Sequence, residues 1–102
     1  MGDRISIQFK NGNDKSPVLF SHWGGIEFYQ FALKYVFDLK QKAKIEGNTN
    51  PLYRLKPGTV IIDFIRAYIQ ENKLKIIESD LYLCCLENEG DNSDNGHFII
   101  DL

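Results

Sequence analysis

The feature that most constrains this chain is a long helical pattern at its centre. Between 26 and 45 the apolar residues fall on two adjacent stripes. Ile26, Tyr29, Leu33, Val36, Phe37 and then Lys40 keep helical spacing, and Phe28, Ala32, Tyr35 and Leu39 run beside them. A helix apolar over two stripes needs broad cover, by a sheet on one side and by a second helix or a partner on the other. Lys40, Lys42 and Lys44 enrich the last turns, where the helix dipole favours cations, and Gly47 supplies a stop.

What can cover it is limited by length. With 102 residues the chain (1–102) is a single domain, since two would each be too small to bury a good core. A composition that is 43% apolar and 13% aromatic is enough to offset the ordering entropy, which excludes disorder of the whole chain. No apolar run approaches the roughly 20 residues of a membrane span, so no membrane role is expected.

The flanks of the helix are strand-like. Ile5, Ile7 and Phe9 alternate with Ser6 and Gln8, a half-buried strand. Asn11-Gly12 is a hairpin signal, so a hairpin is expected over roughly 4–10 and 17–23. After the helix, 46–58 reads as a loop with two prolines. Thr59 is the expected N-cap of a second helix over 60–72, with the stripe Ile61, Phe64, Ile65, Tyr68 and Ile69. Residues 73–78 read as a short edge strand or extended link. A strand is expected near 81–87, a polar turn over 88–95 and a final strand over 97–101. The order is β-β-α-α-β-β, with strands at the two ends of the chain. That predicts an α+β fold: terminal hairpins joined in one antiparallel sheet of four to five strands, with two helices packed on one face. Tyr29, Tyr35, Tyr53, Tyr68 and Tyr82, with Phe28, Phe31, Phe37 and Phe64, are expected to be mostly core. If so short a chain cannot cover both helix stripes, the excess becomes an interface for a protein partner or a homodimer.

Charge narrows the partners. The net charge is −2, which disfavours a dedicated nucleic-acid domain. Lys34, Lys40, Lys42, Lys44, Arg54 and Lys56 make one segment basic, and 87–101 holds five acids and no Lys or Arg. Cys84 and Cys85 are adjacent, so a disulfide between them would be strained, and two sulfurs cannot build a zinc site alone. On a strand they point to opposite faces, so one is expected to be buried and one less so, as structural thiols in a reducing compartment; the N-terminus lacks the apolar core of a signal peptide, so a cytoplasmic location is expected. Asp91-Asn92-Ser93-Asp94-Asn95-Gly96 imitates the start of a calcium loop. Its twelfth position is Leu102, where a bidentate Glu is needed, so the segment reads as a hairpin turn. Neither a metal nor a cofactor is expected.

The segment Ser21-His22-Trp23-Gly24-Gly25 carries the chemistry. Glycines at a strand-to-helix junction expose amides, and a helix N-terminus favours an anion. His22 would supply a proton or a hydrogen bond, and Trp23 a stacking surface. Asp3 and Arg4 lie at the other end of the same hairpin, so Asp3 is placed to orient the His22 imidazole and Arg4 to grip an anion. A small anionic or nucleotide-like ligand would then bind at Asp3, Arg4, Ser21, His22, Trp23, Gly24 and Gly25. The simpler reading is a tight turn, with Trp23 filling the core and His22 bonded to backbone. No nucleophile completes a catalytic set, because Ser21 and His22 point apart on a strand.

Asp3-Arg4-Ile5 and the segment Leu19-Phe20-Ser21-His22-Trp23-Gly24-Gly25 resemble an uncharacterised family of small prokaryotic and phage proteins. That family is marked by an Asp-Arg-aliphatic start and a Ser-His-Trp-Gly-Gly segment. The resemblance covers about the first quarter of the chain. It implies a prokaryotic, archaeal or phage origin and carries no activity across. The expected function is a small non-enzymatic binding or interaction module. The alternative is a small hydrolase or transferase acting on an anionic or nucleotide-like ligand at His22 and Gly24-Gly25.

Overall fold

The computed structural model describes residues 2–75 and 80–102. Its centre is β1 (Ile5–Asn11), whose apolar residues Ile5, Ile7 and Phe9 are fully buried. At Gly12 the backbone turns left-handed, and the chain returns as β2 (Asp14–Lys15) and β3 (Val18–Ser21), both antiparallel to β1. The return strand is broken because Pro17 has no N–H to give the ladder. Ser16 repairs the gap: its amide donates to the Phe9 carbonyl, and its hydroxyl accepts from the Phe9 amide at 3.0 Å.

Helix α1 (Gly25–Glu46) and helix α2 (Pro57–Glu71) follow, separated by two short 3-10 turns at Gly47–Thr49 and Pro51–Arg54. Thr59 is not the cap of α2. The helix starts two residues earlier on Pro57, whose fixed φ and missing N–H suit the first helical position, and Lys56 is the capping residue. Phe28, Ala32, Val36 and Leu39 of α1 meet Val60, Ile61 and Phe64 of α2 over Ile5, Ile7, Phe9 and Leu19. Phe64 is the hub, with ring centroids 5.4–5.8 Å from Phe9, Phe28, Phe31 and Tyr35.

Strand β4 (Leu81–Cys84) adds antiparallel to β3, and β5 (His97–Asp101) adds to the free side of β1. The architecture is α+β, in the expected order. The β1–β5 pair is parallel, whereas the other three pairings are antiparallel. A final hairpin was also expected, but β4 and β5 lie on opposite sides of the sheet and do not pair. Half of the expected edge strand over 73–78, residues 76–78, lies outside the described residues. Lys73 has a left-handed φ of 55°, which ends α2 rather than opening a strand.

The separation of β4 from β5 decides what residues 85–96 do. They cross the sheet face opposite the helices. Tyr82, Phe20, Ser6 and His97 form one row across β4, β3, β1 and β5, and the crossing segment touches this row along its length. The Asp91 backbone amide donates to the Tyr82 hydroxyl at 2.9 Å, Gly90 lies on the Phe20 ring, and Asn92 Nδ2 donates to Ser6 Oγ at 2.9 Å. The segment is therefore a strap over the second face, not a turn.

Candidate functional site

The expected site residues gather at one corner, where the ends of β1 and β3 meet α1. The Asp3 amide donates to the His22 carbonyl at 2.8 Å, and the Gly25 amide donates to the Asp3 carbonyl at 2.9 Å. Ser21 is buried, and its hydroxyl accepts from the Gly24 amide at 2.9 Å. The amides of both glycines are thus engaged inside the protein. Gly25 is left-handed at φ 60° with the Asp3 carboxylate against it, and a Cβ on Gly24 would fall 2.6 Å from Ser21 Oγ. The two glycines let strand, helix and N-terminal arm meet without side chains between them.

The remaining side chains separate. Asp3 Oδ1 accepts from Asn95 Nδ2 at 2.7 Å, which places the carboxylate on the strap. Arg4 also goes to the strap, with Nε 3.2 Å from Asp91 and Nη1 3.5 Å from Asp94. His22 is half-buried, with its ring 4.4 Å from that of Trp23 in an edge arrangement. Trp23 does not fill the core: it is 55% exposed. The reason is the turn itself, which begins one residue after β3 ends and carries Trp23 beyond the sheet.

The calcium-like segment has a cation of its own. Arg4 lies between Asp91 and Asp94, where a loop of this composition would hold a metal. Asp91 Oδ1 also accepts from the amide and hydroxyl of Ser93, and these bonds hold its carboxyl below the usual range. Among the described residues no group of three or more His, Cys, Asp or Glu is placed to hold a metal.

Sequence reasoning missed a buried polar chain under the strap. Ser6 is fully buried, and its Oγ lies 2.7 Å from His97 Nδ1. His97 Nε2 faces Gln8 Oε1 at 3.3 Å and Glu87 at 3.4 Å. Gln8 Nε2 donates to the Ser16 carbonyl. Gln8 Oε1 and the Glu87 carboxylate can only accept, so Nε2 carries the proton and Nδ1 accepts from Ser6. Ser6 Oγ accepts in turn from Asn92. Every member is then satisfied with His97 neutral. Desolvation lowers the His97 pKa below its ordinary value; Glu87 opposes this and Lys15 adds to it. The Ser6–His97 distance imitates a nucleophile and its base, but a fully buried hydroxyl cannot meet a substrate. No local signal reveals this chain, because its members are 86 and 91 residues apart.

Among the described residues, clefts open elsewhere, and the three best formed are not lined by His22, Trp23, Gly24 or Gly25. One of about 430 Å³ opens between α1 and α2. There the Tyr35 hydroxyl donates to Asp63 at 2.6 Å, and Arg66 Nε donates to the same carboxylate at 2.9 Å. Burial pushes the Tyr35 pKa up, and the Asp63 carboxylate adds to that. Burial alone would raise the Asp63 pKa, but hydrogen bonds from Arg66 and Tyr35 outweigh it and hold the carboxyl below its ordinary value. A second cleft of about 740 Å³ runs between α1 and β5, lined by Leu33, Phe37, Lys40, Lys44 and Ile99. The third, of about 680 Å³, lies beside the strap and includes Gln8, Lys15, Cys85, Glu87 and His97.

The lysine run is divided: Lys34 and Lys42 line the first cleft, Lys40 and Lys44 the second. The thiols are unequal as expected, but both are more open than expected: Cys84 is half-buried and Cys85 exposed. The short β4 ends at Cys84, and Cys85 starts the strap. Among the described residues no helix is long and apolar enough to cross a membrane. The chain matches no family model, no curated protein and no solved structure.

Proposed function

We propose that the protein is a small non-enzymatic binding module whose working face is the outer side of α1 beside β5. The observation that carries this reading is an uncovered apolar stripe. Ile26, Leu33 and Phe37 lie along one line of α1, and all three are exposed, Phe37 at 63%. At about 100° per residue they fall within roughly 40° of each other, which is a docking stripe and not scattered surface residues. Beside it runs β5, whose outer edge has no strand partner among the described residues. An open edge beside an apolar groove is suited to a protein partner that adds a strand or lays down a helix. The aromatic layer explains why this face is left over: α2 and the sheet cover the side of α1 that holds Phe28, Ala32, Val36 and Leu39, and the described residues leave the other side exposed.

The His22 corner favours a structural role over the hydrolase or transferase alternative, since the glycine amides, Asp3 and Arg4 are all engaged within the fold. The resemblance of the first quarter supports an origin in a prokaryote, archaeon or phage. An exposed, unpaired Cys85 suits a reducing compartment such as the cytoplasm.

Hydroxyl-radical footprinting tests the reading. Dilute pure protein is compared with the same protein in a lysate of its source. Protection of Leu33 and Phe37 with unchanged labelling of Trp23 is the expected result. Equal labelling of all three in both samples would refute it.

A further inference from the structure

We propose that the strap over residues 85–96 is an acid-released cover on the second face of the sheet, with His97 as its latch. The inference rests on the hydrogen-bond chain beneath the strap and not on the α1 face. Asn92 is the strap's hydrogen bond to the buried centre of the row, and its acceptor is Ser6 Oγ, 2.9 Å away. Ser6 can accept from Asn92 because its own hydrogen goes to His97 Nδ1. A proton on Nδ1 reverses that bond. Two donors, Asn92 Nδ2 and Nδ1–H, then face one hydroxyl oxygen, and the Ser6 hydrogen loses its acceptor in a site with no access to water. A buried hydroxyl left without a partner is costly, so the group that can leave does so. Asn92 is on a segment with no strand of its own, whereas Ser6 is in the middle of the sheet.

The charges around the latch set its direction. Glu87, on the strap, attracts the protonated ring, and Lys15, on β2, repels it. Burial outweighs the attraction, so the closed state binds this proton less readily than an open strap would. Closure is therefore complete above the ordinary histidine value of 6.5 and is lost as pH falls from there through the closed-state value. At the far end of the strap His22 lies near Asp91. Asp91 and Asp94 also hold Arg4. Release would uncover the Phe20 and Tyr82 rings, which stack at 4.9 Å, as a flat apolar surface.

Amide hydrogen exchange of the full chain at pH 7.5 and pH 5.0, corrected for intrinsic rates, tests the latch. At pH 5.0 the amides of Asp91, Asn95 and Gly96 are expected to lose at least tenfold protection, while Ile7 and Phe9 keep theirs. His97→Gln, which can accept from Ser6 and donate to Gln8 while staying neutral, should abolish the difference. Asn92→Ala should open the strap at both pH values, and Glu87→Gln should move the midpoint to lower pH. Unchanged strap protection in the wild type would overturn the proposal. So would an equal pH effect in His97→Gln, an unmoved midpoint in Glu87→Gln, or loss of protection in β1 together with the strap.

Discussion

Replacing Gly90 with Ala tests the contact between strap and sheet most directly. A Cβ on Gly90 would sit 2.7–2.8 Å from Cε2, Cδ2 and Cζ of Phe20. Carbon atoms prefer about 3.5–4.0 Å, so roughly 1 Å of movement is needed. The ring has nowhere to go: Phe20 is fully buried and stacked on Tyr82. The strap must rise instead, stretching the Asp91–Tyr82 and Asn92–Ser6 bonds on either side of residue 90. Inserting a methylene into a packed site costs about 1–3 kcal/mol. For a domain of this size each kcal/mol is worth about 4–8 °C, so Tm should fall by roughly 5–20 °C. The assay is thermal melting by circular dichroism, with two companions. Gly58→Ala adds a Cβ into open space in the first turn of α2 and should stabilise by about 0.5 kcal/mol. In a Phe20→Leu background Gly90→Ala should cost less than in the wild type, since the two sites share one contact. A Gly90→Ala melt at or above the wild-type value, or full additivity with Phe20→Leu, would show that the strap does not rest on Phe20.

Three further outcomes follow from the core and the helices. Phe64→Ala removes the ring at the centre of five aromatic contacts and should lower stability by about 3–5 kcal/mol in urea denaturation. Tyr35→Phe removes the hydroxyl on Asp63 while Arg66 stays in place. It should cost about 1 kcal/mol in the same assay, and most of that cost should vanish in an Asp63→Ala background. Thr59→Ala should be neutral or slightly stabilising, because Lys56 and not Thr59 caps α2; a loss above about 1 kcal/mol would restore Thr59 as the cap.

The parts of the fold that could be read along the chain are those with a local period. Ile5, Ile7 and Phe9 alternate, and all three are buried on β1. Phe28, Ala32 and Val36 repeat at helical spacing and face the core. The last strand was expected at 97–101 and lies there. Boundaries went astray where one residue overrides the pattern, as Pro17 does in the hairpin and Pro57 at the start of α2. The candidate site was legible as a meeting place: Asp3 and His22 do come together. The roles within it were not, because the groups that engage Asp3 and Arg4 come from residues 91–95, and no spacing near the N-terminus points to them.

By itself the sequence determined the class of the fold. Two helices between two sets of strands have to cover one sheet, and burial of periodic apolar residues enforces that whatever the details. Which strand lies beside which was decided only in three dimensions. A strand's period shows which face is buried but carries no address for its neighbour. The parallel placement of β5 against β1 is the choice that matters most here. It sends residues 85–96 across the sheet, and it puts His97 next to Ser6 and Arg4 between Asp91 and Asp94. Leu33 and Phe37 stay exposed, and only the packed structure shows on which side of α1.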